Sequence, residues 1–140
     1  MNITEKIIAR ASDRTSVSPG DVVFASVDKL MIHDVSGPGV IKVFDEWAKK
    51  GIQLDKVWNA DKIWISEDHF VPSADRISAE NITRLTNWAQ KFGIKKHFKY
   101  GLGQYGICHT LSHEEALVLP GEFYVGGDSH TNTTGALGAL

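Results

Sequence analysis

The chain has 140 residues, of which 42% are apolar and 23% charged, an ordinary globular composition that excludes a disordered tail or a fibrous repeat. A formal charge of −2 at pH 7 offers no basic face to a phosphate backbone, and no run of about 18 apolar residues or signal-peptide core occurs, so nucleic acid and membrane are excluded as partners and a cytoplasmic location is expected. The single cysteine, Cys108, excludes an internal disulfide and also a conventional iron–sulfur cluster held by this chain alone, since such clusters take three or four thiolates.

In chain order, Ile3, Ile7, Ile8 and Ala11 share one helical face, and Ser18-Pro19-Gly20-Asp21 reads as a turn into a strand over 22–27. That strand leads to Met31-Ile32-His33-Asp34. Past Gly37-Pro38-Gly39, the spacing of Val40, Val43, Phe44 and Trp47 predicts a helix stopped by Gly51. Residues 62–66 read as a buried strand ending in Glu67-Asp68-His69. Ser78 is the expected cap of a helix that carries Ile82, Leu85, Trp88, Ala89 and Phe92 and closes at Gly93. A short strand over 94–98, a glycine-spaced loop over 101–106 and a strand over 122–125 follow; the last ends in Gly126-Gly127-Asp128-Ser129-His130, a polar run that opens a helix. Strands alternating with helices predict an α/β domain with a largely parallel sheet, whose ligands sit beyond the carboxyl ends of the strands.

The chemistry-bearing residues fall just there. His33-Asp34, Asp68-His69, Cys108-His109 and Asp128-Ser129-His130 all follow strand-like or glycine-rich segments. A carboxylate bonded to one imidazole nitrogen fixes the tautomer and raises the basicity of the ring, which suits proton transfer to or from a hydroxyl. Gly126, Gly127, Gly135 and Gly138 permit close backbone approach, and the hydroxyl and amide groups between them suit a small carboxylate. Two plainer readings stand beside this one: a metal site of three imidazoles, or helix capping by Asp128 and Ser129 without catalysis.

Gly127-Asp128-Ser129-His130-Thr131, followed by Gly135-Ala136-Leu137-Gly138, resembles the Asp-Ser-His-Thr signature of the aconitase superfamily. Three further segments match in order: Met31-Ile32-His33-Asp34 with Ser36-Gly37-Pro38, the stretch around Asp68-His69-Phe70-Val71-Pro72, and Gly106-Ile107-Cys108-His109. His33, where aconitases proper usually carry Gln, and the Asp-His-Phe-Val-Pro segment point to the 3-isopropylmalate dehydratase and homoaconitase branch. Thr110 departs from an expected Gln, and His113 stands where Pro is common and reads as a surface residue.

The resemblance implies a three-layer aconitase-type α/β domain, of which residues 1–140 form the N-terminal part, a single domain continuing beyond Leu140. It implies a hydro-lyase acting on a small hydroxy di- or tricarboxylic acid: the 3-isopropylmalate dehydratase type first, homoaconitase or 2,3-dimethylmalate dehydratase as alternatives. Asp68, His69, His109, Asp128 and His130 are then the expected catalytic residues, and His33, Asp34 and Ser129 the expected substrate-binding ones. A four-iron, four-sulfur cluster is expected in the complete protein on cysteines downstream of Leu140, with no metal ligand in this chain, and a small swivel-domain subunit is the expected partner. The 140 residues alone are expected to be inactive, and the missing cysteines leave a stand-alone, non-catalytic binding module as the rival reading.

Overall fold

The computed structural model describes all 140 residues. Four short strands, β1 (Lys29–His33), β2 (Ile63–Ser66), β3 (Lys96–Phe98) and β4 (Tyr124–Gly126), form one all-parallel sheet in the order β3-β2-β1-β4. Parallel neighbours cannot be joined by tight hairpins, so each connection crosses over through a helix. The crossovers carry α2 (Gly37–Lys49), α3 (Arg76–Lys91) and α4 (Cys108–Glu114), while α1 (Ile3–Ala11) precedes the sheet.

Alternation along the strands divides the core into two. Ile32, Ile63 and Ile65 pack on one face against Ile41 of α2 and Leu85, Trp88 and Ala89 of α3. Met31, Trp64 and Tyr124 pack on the other against Cys108 and Leu111 of α4 and against Ala139. The result is three layers: α2 with α3, the sheet, and α4 with a 3-10 helix, Thr131–Leu137. Ile65 and Met31 are fully buried, and truncating either to Ala costs about 2–5 kcal/mol in a core that cannot collapse. Within the first layer, α2 and α3 meet closely at Gly37, where a Cβ would stand 2.7 Å from Leu85 Cδ1.

Several boundaries differ from expectation. Residues 22–27 alternate like a strand but join no ladder, with Val22 and Phe24 almost fully exposed and a single backbone bond, from the Ser26 N–H to the Ala11 carbonyl. Alternation supplies a face but not a neighbour, and the strand starts at Lys29, where Met31 has Trp64 on one side and Gly126 on the other. Ser78 does not cap α3; Asp75, in extended conformation, accepts the Ser78 N–H at 2.7 Å, so Ser78 is the capped donor in the first turn. The strand expected over 94–98 begins at Lys96, because the Ile94 N–H closes α3 on the Ala89 carbonyl at 2.9 Å. The helix α4 was not expected, and the helix expected after His130 is of the 3-10 type.

Candidate active site

The carboxyl ends of β1, β2 and β4 lie side by side, so the residues that follow them share one rim. β1 brings His33 and Asp34, the loop after β2 brings Asp68 and His69, and the loop after β4 brings Asp128, Ser129 and His130. The first turn of α4 adds Cys108 and His109.

Asp128 is the centre of this rim. Its Oδ1 lies 2.7 Å from His109 Nε2, accepts the His130 backbone N–H at 2.7 Å, and lies 3.5 Å from His130 Nδ1. Its Oδ2 faces His33 Nε2 at 3.5 Å and His69 Nε2 at 3.4 Å. The His130 backbone hydrogen bond, aided by His109, outweighs partial burial and holds the Asp128 carboxyl down at about 2. It is therefore a carboxylate throughout the neutral range.

His69 is anchored by Asp68, whose Oδ1 is 2.9 Å from Nδ1, and its side chain remains 40% exposed. Burial works against charge on this ring. The Asp68 hydrogen bond, with the charges of Asp34 and Asp128, overcomes that penalty and raises its pKa. The other Asp68 oxygen accepts the Cys108 backbone N–H at 2.6 Å, pinning the start of α4 to the β2 loop. Asp34 has no exposed surface; it accepts the backbone N–H of His69 at 3.1 Å and that of Phe70 at 2.7 Å.

His33 is 2% exposed, and its ring stacks on that of His69 at 4.5 Å and 20°. Its Nδ1 accepts the backbone N–H groups of Val35, at 3.0 Å, and Ser36, at 3.2 Å. Burial, and then the neighbouring His69, keep its pKa below the ordinary value. His130 is exposed, with its Nδ1 3.1 Å from Ser129 Oγ, and the His109 and His130 rings meet edge to face at 6.1 Å. His113 is exposed; its Nδ1 lies 2.5 Å from the backbone carbonyl of His109, one turn back on α4, and reaches no carboxylate of the rim. All eight residues singled out in the sequence thus lie on one rim or directly behind it.

Three further residues build the site through partners that the sequence does not reveal. Ser36 Oγ accepts the His33 N–H at 3.1 Å, closing the turn after β1. Gly127 lets the β4 loop approach that turn, since a Cβ there would stand 2.5 Å from Ser36 Oγ. Glu67 points away from the rim into a buried pair with His97 at 2.9 Å and accepts the Tyr100 N–H at 3.0 Å. Burial pushes the Glu67 carboxyl up, but these partners win and its pKa is lowered. The Glu67-Asp68-His69 run gave only one cue to this split, the reversal of side-chain direction between neighbours in an extended chain.

Two groups at the rim, His33 with Asp34 and His69, and His109 with Asp128 and His130, bring potential metal ligands within 4.8 Å of one another. The His33 Nδ1 lone pair is taken by two backbone N–H groups. The 2.7 Å from His109 Nε2 to Asp128 is hydrogen-bond spacing, shorter than the edge of about 3.3 Å in a tetrahedral zinc site. Cys108 is a single buried thiol where an iron–sulfur cluster takes three or four, and burial, with the adjacent Asp68 carboxylate, pushes it up to about 12. A cavity of about 500 Å³ is apolar and opens on the α2 side of the sheet beside Phe44, Val57 and Trp58, reaching the rim at Ser36 and Gly127.

A family model described as the aconitase family (aconitate hydratase) matches residues 5–140. The chain is 42% identical over its whole length to the 3-isopropylmalate dehydratase large subunit of Caldicellulosiruptor saccharolyticus, covering 31% of that protein. It is 42% identical to the protein of the same name from Halothermothrix orenii, covering 32% of it. Against the chloroplastic large subunit of Arabidopsis thaliana, 99% of the chain aligns at 38% identity, covering 28% of that protein. The chain therefore spans about a third of the length of the curated relatives it matches.

Proposed function

The chain belongs to the aconitase family, and from that premise we propose that it forms part of the large subunit of a hydro-lyase for a small hydroxy di- or tricarboxylic acid, of the 3-isopropylmalate dehydratase type. The observation that carries this reading is the single rim on which Asp128 gathers His33, His69, His109 and His130, with Asp68 behind His69. Acid–base chemistry at a substrate hydroxyl needs a protonated imidazole beside unprotonated carboxylates. The raised pKa of His69 and the low pKa of Asp128 supply both forms near neutrality.

His69 acts as general acid. Held at Nδ1 by Asp68, it gives its Nε2 proton to the departing hydroxyl, the carbon–oxygen bond breaks, and water leaves. The electron pair of a carbon–hydrogen bond on the adjacent carbon becomes the new double bond, and a base on a separate small subunit takes that proton. His109, fixed by Asp128, and the exposed His130 line the water side and serve rehydration. Ser129 meets a substrate carboxylate, while His33 and Asp34 support the site from beneath. A four-iron, four-sulfur cluster in the complete protein would supply a Lewis acid for the hydroxyl; this chain offers one buried thiol where such a cluster takes three or four, so its thiolates would come from outside residues 1–140.

The test is turnover by the complete two-subunit enzyme on isopropylmalate, homocitrate, dimethylmalate and, for hydration, citraconate. We expect isopropylmalate to be preferred. His69→Ala lowers its turnover by a factor on the order of 10² or more while the cluster absorbance persists. Inactivity on all four acids would refute the hydro-lyase reading, and unimpaired turnover in the variant would remove His69 from the chemistry.

A further inference from the structure

We propose that His33 is a positioning residue, an Nε2-protonated imidazole that directs Asp128 and backs His69 without touching substrate. Its consequence for turnover rests on the hydro-lyase reading; its geometry does not.

The protonation pattern follows from the backbone. His33 Nδ1 accepts two N–H groups, from Val35 at 3.0 Å and Ser36 at 3.2 Å. A ring nitrogen that accepts carries no hydrogen, so in the neutral ring the proton sits on Nε2. A second proton, on Nδ1, would confront both amides. The turn that imposes this is closed independently by Ser36 Oγ, which accepts the His33 N–H at 3.1 Å. The sequence Val35-Ser36-Gly37 permits it, because Gly37 packs against Leu85 with no room for a side chain.

The Nε2–H so fixed is buried and has no hydrogen-bond partner of normal length. Its nearest carboxylate is Asp128, whose Oδ2 stands 3.5 Å away and 3.4 Å from His69 Nε2. The two rings are stacked, so both ε nitrogens aim at one oxygen. A buried donor with no other outlet holds that oxygen in place. The remaining charged groups facing His33 are Asp34 from its own strand end and Asp68 and His69 from the β2 loop. At 2% exposure the ring has no surface to offer a substrate.

Two substitutions separate the functions of the two nitrogens. His33→Asn keeps an acceptor near the δ position for the Val35 and Ser36 amides but removes the donor toward Asp128. His33→Gln returns a donor near the ε position. In the complete two-subunit enzyme we expect His33→Asn to lower kcat about tenfold with KM within about twofold, and His33→Gln to recover most of that loss. Selective ¹⁵N labelling of histidine gives a readout independent of turnover: His33 should show the Nε2–H tautomer at neutral pH, with protonation displaced below the ordinary imidazole range. An Nδ1–H tautomer, or an imidazolium forming near pH 6.5, overturns the proposal. So does a rise in KM with unchanged kcat in both variants, which is the mark of a substrate contact. If the unmodified enzyme proves inactive on every hydroxy acid, the hydro-lyase reading fails and the tautomer measurement alone decides this one.

Discussion

The proton on His69 is held by neighbours that can be removed one at a time. Asp68 is the strongest of the groups raising its pKa, and Asp34 and Asp128 contribute through charge alone. A general acid works while it is protonated, so turnover that needs the His69 imidazolium declines as pH rises through its raised pKa, above the ordinary value of about 6.5. Asp68→Asn replaces the carboxylate with a neutral amide, and the alkaline limb of the kcat profile should move toward lower pH. A limb that stays in place would mean that another group sets it. The residues of this constellation were legible in the sequence because Asp-His neighbours after strand ends are a local pattern. What was illegible is the sharing: that His33, His69, His109 and His130 converge on Asp128 depends on the register of three strands, and no spacing between them encodes it.

Between elements, the site depends on how closely the β4 loop approaches the turn that joins β1 to α2. A Cβ on Gly127 would stand 2.7 Å from Ser36 Cβ, and one on Gly126 would meet Thr131 Oγ1 at 2.5 Å. Gly127→Ala must push the loop away or displace Ser36, which anchors His33. Forcing a methyl into such a contact costs about 1–3 kcal/mol, which urea unfolding should register as a lower midpoint at unchanged slope. An undiminished midpoint would show that the loop yields freely. The sequence marked these glycines as sites of close approach without identifying what they approach. The helices were legible from apolar periodicity, as in Leu85, Trp88 and Phe92, whereas α4 was not. Its seven residues include two histidines, a threonine and a serine, and its start is secured by a tertiary bond from the Cys108 N–H to Asp68. The segment over 22–27 failed in the opposite way, carrying the alternation of a strand with no ladder to join.

Across the whole molecule, ionised carboxylates tie separate elements together. Asp128 joins the loop after β4 to the start of α4, and Glu67 joins the end of β2 to β3 through His97 and Tyr100. Both have pKa values lowered on folding. Such groups stabilise the fold above their unfolded values of about 3.9 to 4.3, and that stabilisation is lost as pH falls through the folded values, because the unfolded chain then binds more protons. Thermal unfolding followed by circular dichroism should therefore show a falling Tm from about pH 4.5 downward, with Glu67→Gln flattening part of the slope. An unchanged slope in that variant would exclude Glu67 as a source. The parallel α/β architecture was legible from alternating strands and helices, and its three layers from the family resemblance, but the two buried carboxylate systems were not, since Glu67 and Asp68 are adjacent in sequence and serve opposite sides of β2.

Four rings lean on one oxyanion, so whatever displaces Asp128 disturbs all of them together. The charge on His69 in particular depends on the carboxylates around it, Asp128 among them. An arriving polyanion would compete with Asp128 for the same hydrogens. Capture of such a guest should then draw protons from the medium, and the heat of binding should change with the ionisation enthalpy of the buffer used to measure it.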